Sequence, residues 1–251
     1  MDSKQRFSNR VESYVKYRPG YPKEMLDALY ANLGIGAASS IADVGAGTGI
    51  FSKLLLERGS QVIAVEPNTE MREAANEALG GHAGYRSIQG SAEETGLPDQ
   101  SVDFIVCAQS FHWFDQGAAQ VEFRRILKPE GKVALIWNTR LTEGTVFLEG
   151  YEQLLKTYGT DYQQVNHRNL SSEALSSFFK TGEMQEARFT NRQIFDYDGV
   201  SGRLSSSSYT PTPVDPRYTL MMKDLESLFE RTKHNGTVFF DYETEVFWGG
   251  V

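Results

Sequence analysis

Apolar and polar positions follow two rhythms along this chain. Short apolar runs bounded by turn residues occur at Ser40–Val44, Gln61–Glu66, Tyr85–Gln89, Val102–Ala108 and Lys132–Asn138. Each is strand-length and rich in Val, Ile or aromatic residues, so each predicts a β-strand. Runs apolar on both faces fit strands covered on both sides, as in a parallel sheet. Between them the spacing turns helical. Gly49–Arg58 carries Ile50, Leu54 and Leu55 and stops at Gly59. Thr69–Leu79 opens with Asn68 or Thr69 as N-cap and lines up Met71, Ala74, Ala75 and Ala78. Ala118–Leu127 presents Val121 and Leu127 and stops at Lys128-Pro129-Glu130-Gly131. This alternation over residues 40–138 predicts βαβ units in a doubly wound α/β sheet.

The last part of the chain reads differently. Residues 139–183 carry a helical pattern of Val146, Leu148, Tyr151, Leu154 and Leu155, then Leu175, Phe178 and Phe179. No strand interrupts them, so they form an insertion between two strands. A strand over Glu186–Phe195, a Ser- and Pro-rich loop over 205–216 and a helix over Tyr218–Lys233 follow. Thr237–Trp248 then alternates cleanly: Val238, Phe240, Tyr242, Thr244, Val246 and Trp248 on one side, Asp241, Glu243 and Glu245 on the other. That is a strand with one half-solvated face, near a sheet edge.

The 251 residues carry 25 Lys plus Arg against 33 Asp plus Glu, a net charge of −8. An acidic balance argues against nucleic acid as partner, which wants a basic face. The single cysteine, Cys107, excludes an intrachain disulfide and a Cys-based zinc site, and no metal is expected. No apolar run approaches the roughly 20 residues of a membrane helix. The polar start, Met1 to Arg6, has no apolar stretch behind it. A cytoplasmic protein with no membrane partner is the expectation, as monomer or homodimer.

The chemistry concentrates in Ile41-Ala42-Asp43-Val44-Gly45-Ala46-Gly47-Thr48-Gly49, a strand running through a Gly-x-Gly-x-Gly turn into a helix. Glycines let a ligand approach the backbone, and a helix N-terminus follows. In a doubly wound sheet, ligands bind at this carboxyl-end turn. The dinucleotide fingerprint wants its third glycine at the sixth position, where Ile50 stands, and the Gly-Lys-Ser/Thr of a P-loop is absent. Asp43 would repel a pyrophosphate and favours a ligand carrying ammonium and sulfonium groups. Glu66 ends the second strand, where a carboxylate can accept both hydroxyls of a ribose. It is also what an exposed strand-end carboxylate looks like, and it does not separate dinucleotides from other adenosine ligands.

Five blocks at ordered spacings carry a resemblance: Asp43–Gly49, Val65–Met71, Gly90–Pro98, Asp103–Val106 and Arg125–Gly131. In these the chain resembles class I S-adenosylmethionine-dependent methyltransferases, in particular the type-11 methyltransferase-domain family. Tyr17-Arg18-Pro19-Gly20-Tyr21-Pro22 and Ser110-Phe111-His112-Trp113-Phe114 resemble the trans-aconitate methyltransferase-like subgroup. The resemblance implies a mostly parallel seven-stranded sheet with an antiparallel last strand. It divides a single domain over 1–251 into N-terminal lid helices (1–35), a cofactor-binding core (36–138), an acceptor-side helical insertion (139–183) and the completion of the sheet (184–251). It implies S-adenosylmethionine as cofactor, S-adenosylhomocysteine as product and a small-molecule methyl acceptor, plausibly an organic acid. Asp43, Gly45, Ala46 and Gly47 would line the methionine part, and Glu66 and Pro67 the ribose. Asn68 and Met71 would flank the adenine, with Ser91, Ala92 and Glu93 at its edge. Gln109 and Ser110 would face the methionine carboxylate or the methyl group.

His112 could serve as general base, with its unperturbed pKa near 6.5, or could simply pack on the turn after the strand. Trp113 could wall the methyl-transfer site, and Gln109 completes this catalytic set. Tyr14, Tyr17 and Tyr21 interleave with Lys16 and Arg18, as in an aromatic lid. Tyr14, Arg18, Tyr21, Trp113 and Arg140 are the candidate acceptor contacts, the two arginines as cationic anchors for a carboxylate. Two rival readings are a nicotinamide or flavin oxidoreductase, which Asp43 and Ile50 oppose, and a non-catalytic S-adenosylmethionine-binding partner or sensor.

Overall fold

A computed structural model describes residues 15–160, 162 and 172–251. The strands are β1 (Ser40–Val44), β2 (Gln61–Val65), β3 (Tyr85–Ile88), β4 (Val102–Ala108), β5 (Leu127–Arg140), β6 (Gln185–Phe195) and β7 (Val238–Gly249). They form one sheet in the order β3-β2-β1-β4-β5-β7-β6. β1 to β5 pair in parallel. β7 runs antiparallel to both β5 and β6, so it alone opposes the rest. This is the doubly wound, mostly parallel seven-stranded α/β sheet with an antiparallel last strand.

The helices are α1 (Lys23–Leu33), α2 (Ile50–Glu57), α3 (Thr69–Leu79), α4 (Gln116–Ile126), α5 (Val146–Tyr158), α6 (Ser172–Phe178), α7 (Tyr197–Ser205) and α8 (Tyr218–Thr232). Apolar strands keep both sheet faces dry. Val44, Ile105, Cys107 and Leu135 pack with Phe111, Phe123 and Phe178 on one face, and Ile41, Val106 and Ile136 with Met25, Phe51 and Leu55 on the other. A third cluster joins α5, α7 and α8 to β7 through Tyr151, Val200, Leu228 and Phe240. Parallel strands with helical crossovers leave the carboxyl ends of β1, β2, β4 and β5 at one rim, where loops can build a site.

Three features depart from the sequence reading. β5 begins at Leu127, so Lys128–Gly131 lies inside it; the register shifts between Val102 and Phe104, and Glu130 takes φ +65°. α7 had no clear signal, because Gly199 and Gly202 weaken its pattern; it is capped by the Asp196 side chain accepting from the Gly199 N–H. The acidic face of β7 is paired rather than merely solvated, with Arg188 on Glu243 and Glu245 and Arg192 on Asp241.

The segment before α1 is strapped across the rim. The carbonyl of Gly20 accepts from the side-chain amides of Asn138 (3.0 Å) and Asn191 (2.9 Å). The carbonyl of Tyr17 accepts from Gln193, and the Arg18 guanidinium donates to the Ser206 carbonyl.

The loop after β3 is fixed from α4. Glu122 Oε1 accepts from the Thr95 N–H (2.8 Å) and hydroxyl (2.5 Å), and Arg125 donates to both oxygens of Glu122. Arg125 first, with Thr95, holds the Glu122 carboxyl down at about 2. A depressed carboxyl stabilises the fold above its unfolded pKa, and the contribution fades as pH falls through the folded value. Glu122→Gln should therefore cost about 2 kcal/mol at pH 7 in urea unfolding. The gap from wild type should narrow as pH falls from about 4.5 toward 2.

Candidate active site

Asp43 is the most constrained polar group at the rim, only 1% exposed at the end of β1. Ser52 donates to its Oδ2 at 2.6 Å, while Oδ1 has no hydrogen-bond partner among the described residues. Burial, with the Glu66 charge adding, pushes its carboxyl up to about 7, and Ser52 opposes the shift. A buried oxygen of this kind wants a donor, preferably a cationic one.

Gly45 follows with φ +70°, and a Cβ there would fall 2.5 Å from the Cβ of Ser110. Glycine thus lets the β1 and β4 ends touch, and the Ser110 hydroxyl donates to the Val44 carbonyl at 2.8 Å. At the end of β2, Glu66 Oε2 accepts from the Gly47 N–H (2.8 Å) and Oε1 from the Asn68 N–H (2.9 Å). Burial pushes its carboxyl up despite those two bonds. Asn68 caps α3 by accepting from the Met71 N–H, which seats the buried Met71 thioether beside the loop.

Gln109 holds φ +63°, rare for a residue with a side chain. Its N–H donates to the Ile136 carbonyl and its side-chain amide to the Asn138 carbonyl. Such backbone strain clusters at functional sites. Ser91 and Glu94 close the loop after β3, and Glu93 accepts from the Asp115 N–H at 3.0 Å.

All these residues line one cavity. Asp43, Gly45, Ala46, Gly47, Glu66, Pro67, Asn68, Met71, Ser91, Ala92, Glu93, Gln109 and Ser110 are among its walls. His112, Trp113, Arg18, Tyr21 and Arg140 line the same cavity; Tyr14 lies outside the described residues. The structure thus brings the described residues named as cofactor, catalytic or acceptor contacts to one cavity, while Tyr17 of the aromatic lid does not line it.

Two of those residues carry a different load from the one foreseen. Arg140 pairs with Glu152 at 2.6 Å, donates to the Tyr162 hydroxyl at 3.2 Å and covers the Tyr151 ring. Its charge is therefore offset from within. Nδ1 of His112 accepts from the Trp137 indole N–H at 3.3 Å, which occupies a lone pair that a general base would use.

The cavity also contains residues with no sequence signal for the site: Asn138, Arg203, Ser208, Tyr209 and Tyr242. Arg203 is 6% exposed. It donates from Nε to the Tyr242 hydroxyl (3.3 Å) and from Nη1 to the Ser207 hydroxyl (3.1 Å). Among the described residues no carboxylate pairs with it. Burial works against its charge, yet the surrounding tyrosines hold its pKa above the ordinary value. Burial would likewise push Tyr209 up, but Arg203, Arg18 and Arg140 bring its phenol below the usual value. No local motif marks Arg203; only the packing of α7 against β7 could reveal it. Tyr162, one of the insertion aromatics, also reaches the cavity, whereas Tyr151 and Phe178 lie in the core.

Among the described residues, no group of three or more His, Cys, Asp or Glu could hold a metal, and no helix is long and apolar enough to cross a membrane. S-adenosylmethionine fits the residues present. Asp43 offers an unpartnered oxygen for its ammonium group, and the Gly45–Gly47 turn leaves the backbone bare beside it.

Comparison with known proteins agrees. Residues 42–135 match the family model described as a methyltransferase domain. An uncharacterised methyltransferase of Mycobacterium tuberculosis is 41% identical over 134 residues, covering 53% of this chain and 52% of that protein. The chain thus spans about half the length of such curated relatives. An uncharacterised methyltransferase of Schizosaccharomyces pombe is 29% identical over 215 residues, 84% of this chain and 82% of its own. A solved structure described as a type II methyltransferase from Anaeromyxobacter dehalogenans superposes with a TM-score of 0.69 at 22% identity, covering 93% of this chain and 98% of that one; it bears on the fold alone. Residues 42–135 thus match a methyltransferase domain, and the sheet has the fold of a solved methyltransferase.

Proposed function

We propose that this protein methylates a small organic acid on a carboxylate oxygen, using S-adenosylmethionine. The observation that carries the choice of acceptor is Arg203, a buried guanidinium in the cavity with hydroxyl partners and no paired carboxylate among the described residues. A buried cation without a counter-ion is costly, and an anionic ligand relieves that cost. Arg18 and Arg140 line the same cavity, Arg140 with its own counter-ion, Glu152. The likeness of Tyr17–Pro22 and Ser110–Phe114 to trans-aconitate methyltransferases points the same way.

When bound, S-adenosylmethionine supplies a methyl group on a sulfonium that leaves as a neutral thioether. The chain's part is to hold and align. Asp43 receives the ammonium group, Glu66 the ribose hydroxyls, and Asn68, Met71 and Ser91–Glu93 surround the adenine. Gln109 and Ser110 border the methionine end. His112, Trp113, Tyr21 and Arg18 close the acceptor side against water. Alignment of two reactants can lower a barrier by about 7–11 kcal/mol. A carboxylate has no proton to lose, so the site needs no base. The acceptor is a small molecule, since the net charge of −8 disfavours nucleic acid.

Three results test this reading. A screen of tritiated methyl transfer should label small carboxylic acids and leave phenols and amines unlabelled; labelled phenols alone would overturn the acceptor class. Arg203→Gln should raise the KM for the acid about 10- to 100-fold with S-adenosylhomocysteine affinity unchanged. Asp43 must lose its proton to receive an ammonium group, and its free carboxyl titrates at about 7. Calorimetric affinity for S-adenosylhomocysteine should rise about tenfold per pH unit between pH 5 and 7. Asp43→Asn should flatten that slope and weaken binding.

A further inference from the structure

We propose that Gln193 and Tyr242 are positioning residues that fix Arg203 in the cavity wall and tie its placement to the docking of the Tyr17–Gly20 strap. Arg203 and Tyr242 line the cavity and are buried, and Gln193 is half-buried on β6. Gln193 and Tyr242 are diagonal neighbours across the β6–β7 pair, where Tyr242 stands opposite Asn191. Arg203 Nε donates to the Tyr242 hydroxyl (3.3 Å), that hydroxyl donates to Gln193 Oε1 (2.8 Å), and Gln193 Nε2 donates to the Tyr17 carbonyl (3.3 Å). Each bond dictates the next. A guanidinium N–H can only donate, so the phenol oxygen must accept it and turn its single proton to Gln193. The amide then presents its nitrogen to Tyr17; flipped, it would set oxygen against the Tyr17 carbonyl oxygen. The three bonds run one way from a cation to a carbonyl, the sense in which successive hydrogen bonds strengthen one another.

The strap also meets α7 directly. Gly202 precedes Arg203 on that helix, and a Cβ there would run into the Tyr17 ring. Glycine weakens a helix relative to alanine, and here its bare backbone gives Tyr17 a seat. Asn191, two residues before Gln193 and so on the same face of β6, donates to the Gly20 carbonyl. Two side-chain amides of one strand thus hold the strap at both ends, and between them it brings Arg18 and Pro19 to the cavity wall. A strap that leaves its seat strips Gln193 of its acceptor and lets Tyr242 and Arg203 turn. The effect on an acid acceptor rests on the methyl-transfer reading; the relay itself does not.

Limited trypsin digestion of the full chain, read by mass spectrometry at the bond after the exposed Lys16, follows the strap without any ligand. Gly202→Ala, Gln193→Leu and Tyr242→Phe should each speed that cut about 3- to 10-fold, the loss of one or two hydrogen bonds or of the seat. The cut after the exposed Arg231 on α8 should keep its wild-type rate. Gln193→Leu and Tyr242→Phe variants cut as slowly as wild type would overturn the proposal, and so would an equal rise at Arg231, which marks general loosening. With an acid labelled in the methyl-transfer screen, the same two variants should raise KM about 3- to 10-fold, with kcat and S-adenosylhomocysteine affinity within about twofold. An unchanged KM would overturn the positioning role. If Tyr242→Phe does not fold, Gln193→Leu, on a half-buried residue, carries both measurements. A wild type that labels no acid sinks the methyl-transfer reading, and the trypsin rates then decide the relay by themselves.

Discussion

The rest of the site hangs on one carboxylate kept out of water. Asp43 lies at the end of β1 with one oxygen satisfied by Ser52 and the other by nothing among the described residues. A folded chain does not tolerate such a group without a use for it. The surrounding elements are arranged around that point. β1 is flanked by β2 and β4 in the middle of the run β3-β2-β1-β4-β5, so its carboxyl end lies well inside the rim. Gly45 lets β4 approach, Ser110 fastens that approach, and Glu66 grips the glycine turn from the next strand. A ligand with a positively charged end would satisfy Asp43.

Both signs of charge line the cavity, Asp43 and Glu66 with Arg18, Arg140 and Arg203. The net charge of −8 for the whole chain says nothing of this, because exposed charges beyond about 8–10 Å are screened. Under the proposed reading, the carboxylates suit a cationic cofactor end and the arginines an anionic acceptor. The strap from Tyr17 to Gly20, held by Asn138, Asn191 and Gln193, brings Arg18 and Pro19 to the cavity wall.

Much of this was legible in the sequence because local signals and tertiary roles coincide there. The strands of the parallel half are short apolar runs, and burying them on both faces is what made them apolar. Asp43, the glycine turn, Glu66 and Asn68 sit within a few residues of strand ends, so their pattern carries their function. The alternation of Val238 to Val246 announced β7. What escaped was made by distance in sequence. Arg203 lies on a helix that two glycines weaken, and it meets Tyr242 from another element across the fold. Asn138 was read as a strand end, yet it ties together Gly20, Asn191 and Thr244. Arg140 was placed at the right rim, but its neutralisation by Glu152 depends on where α5 packs. Such networks follow from topology, and no spacing within a single segment encodes them.

The central claim is that this rim binds an adenosine ligand with an ammonium end and not a pyrophosphate. Calorimetric titration of the protein with S-adenosylhomocysteine and, separately, with NADH tests it most directly. The account predicts saturable one-to-one binding of S-adenosylhomocysteine in the micromolar range (about −8 kcal/mol) and no heat with NADH. Binding of NADH without S-adenosylhomocysteine would contradict it.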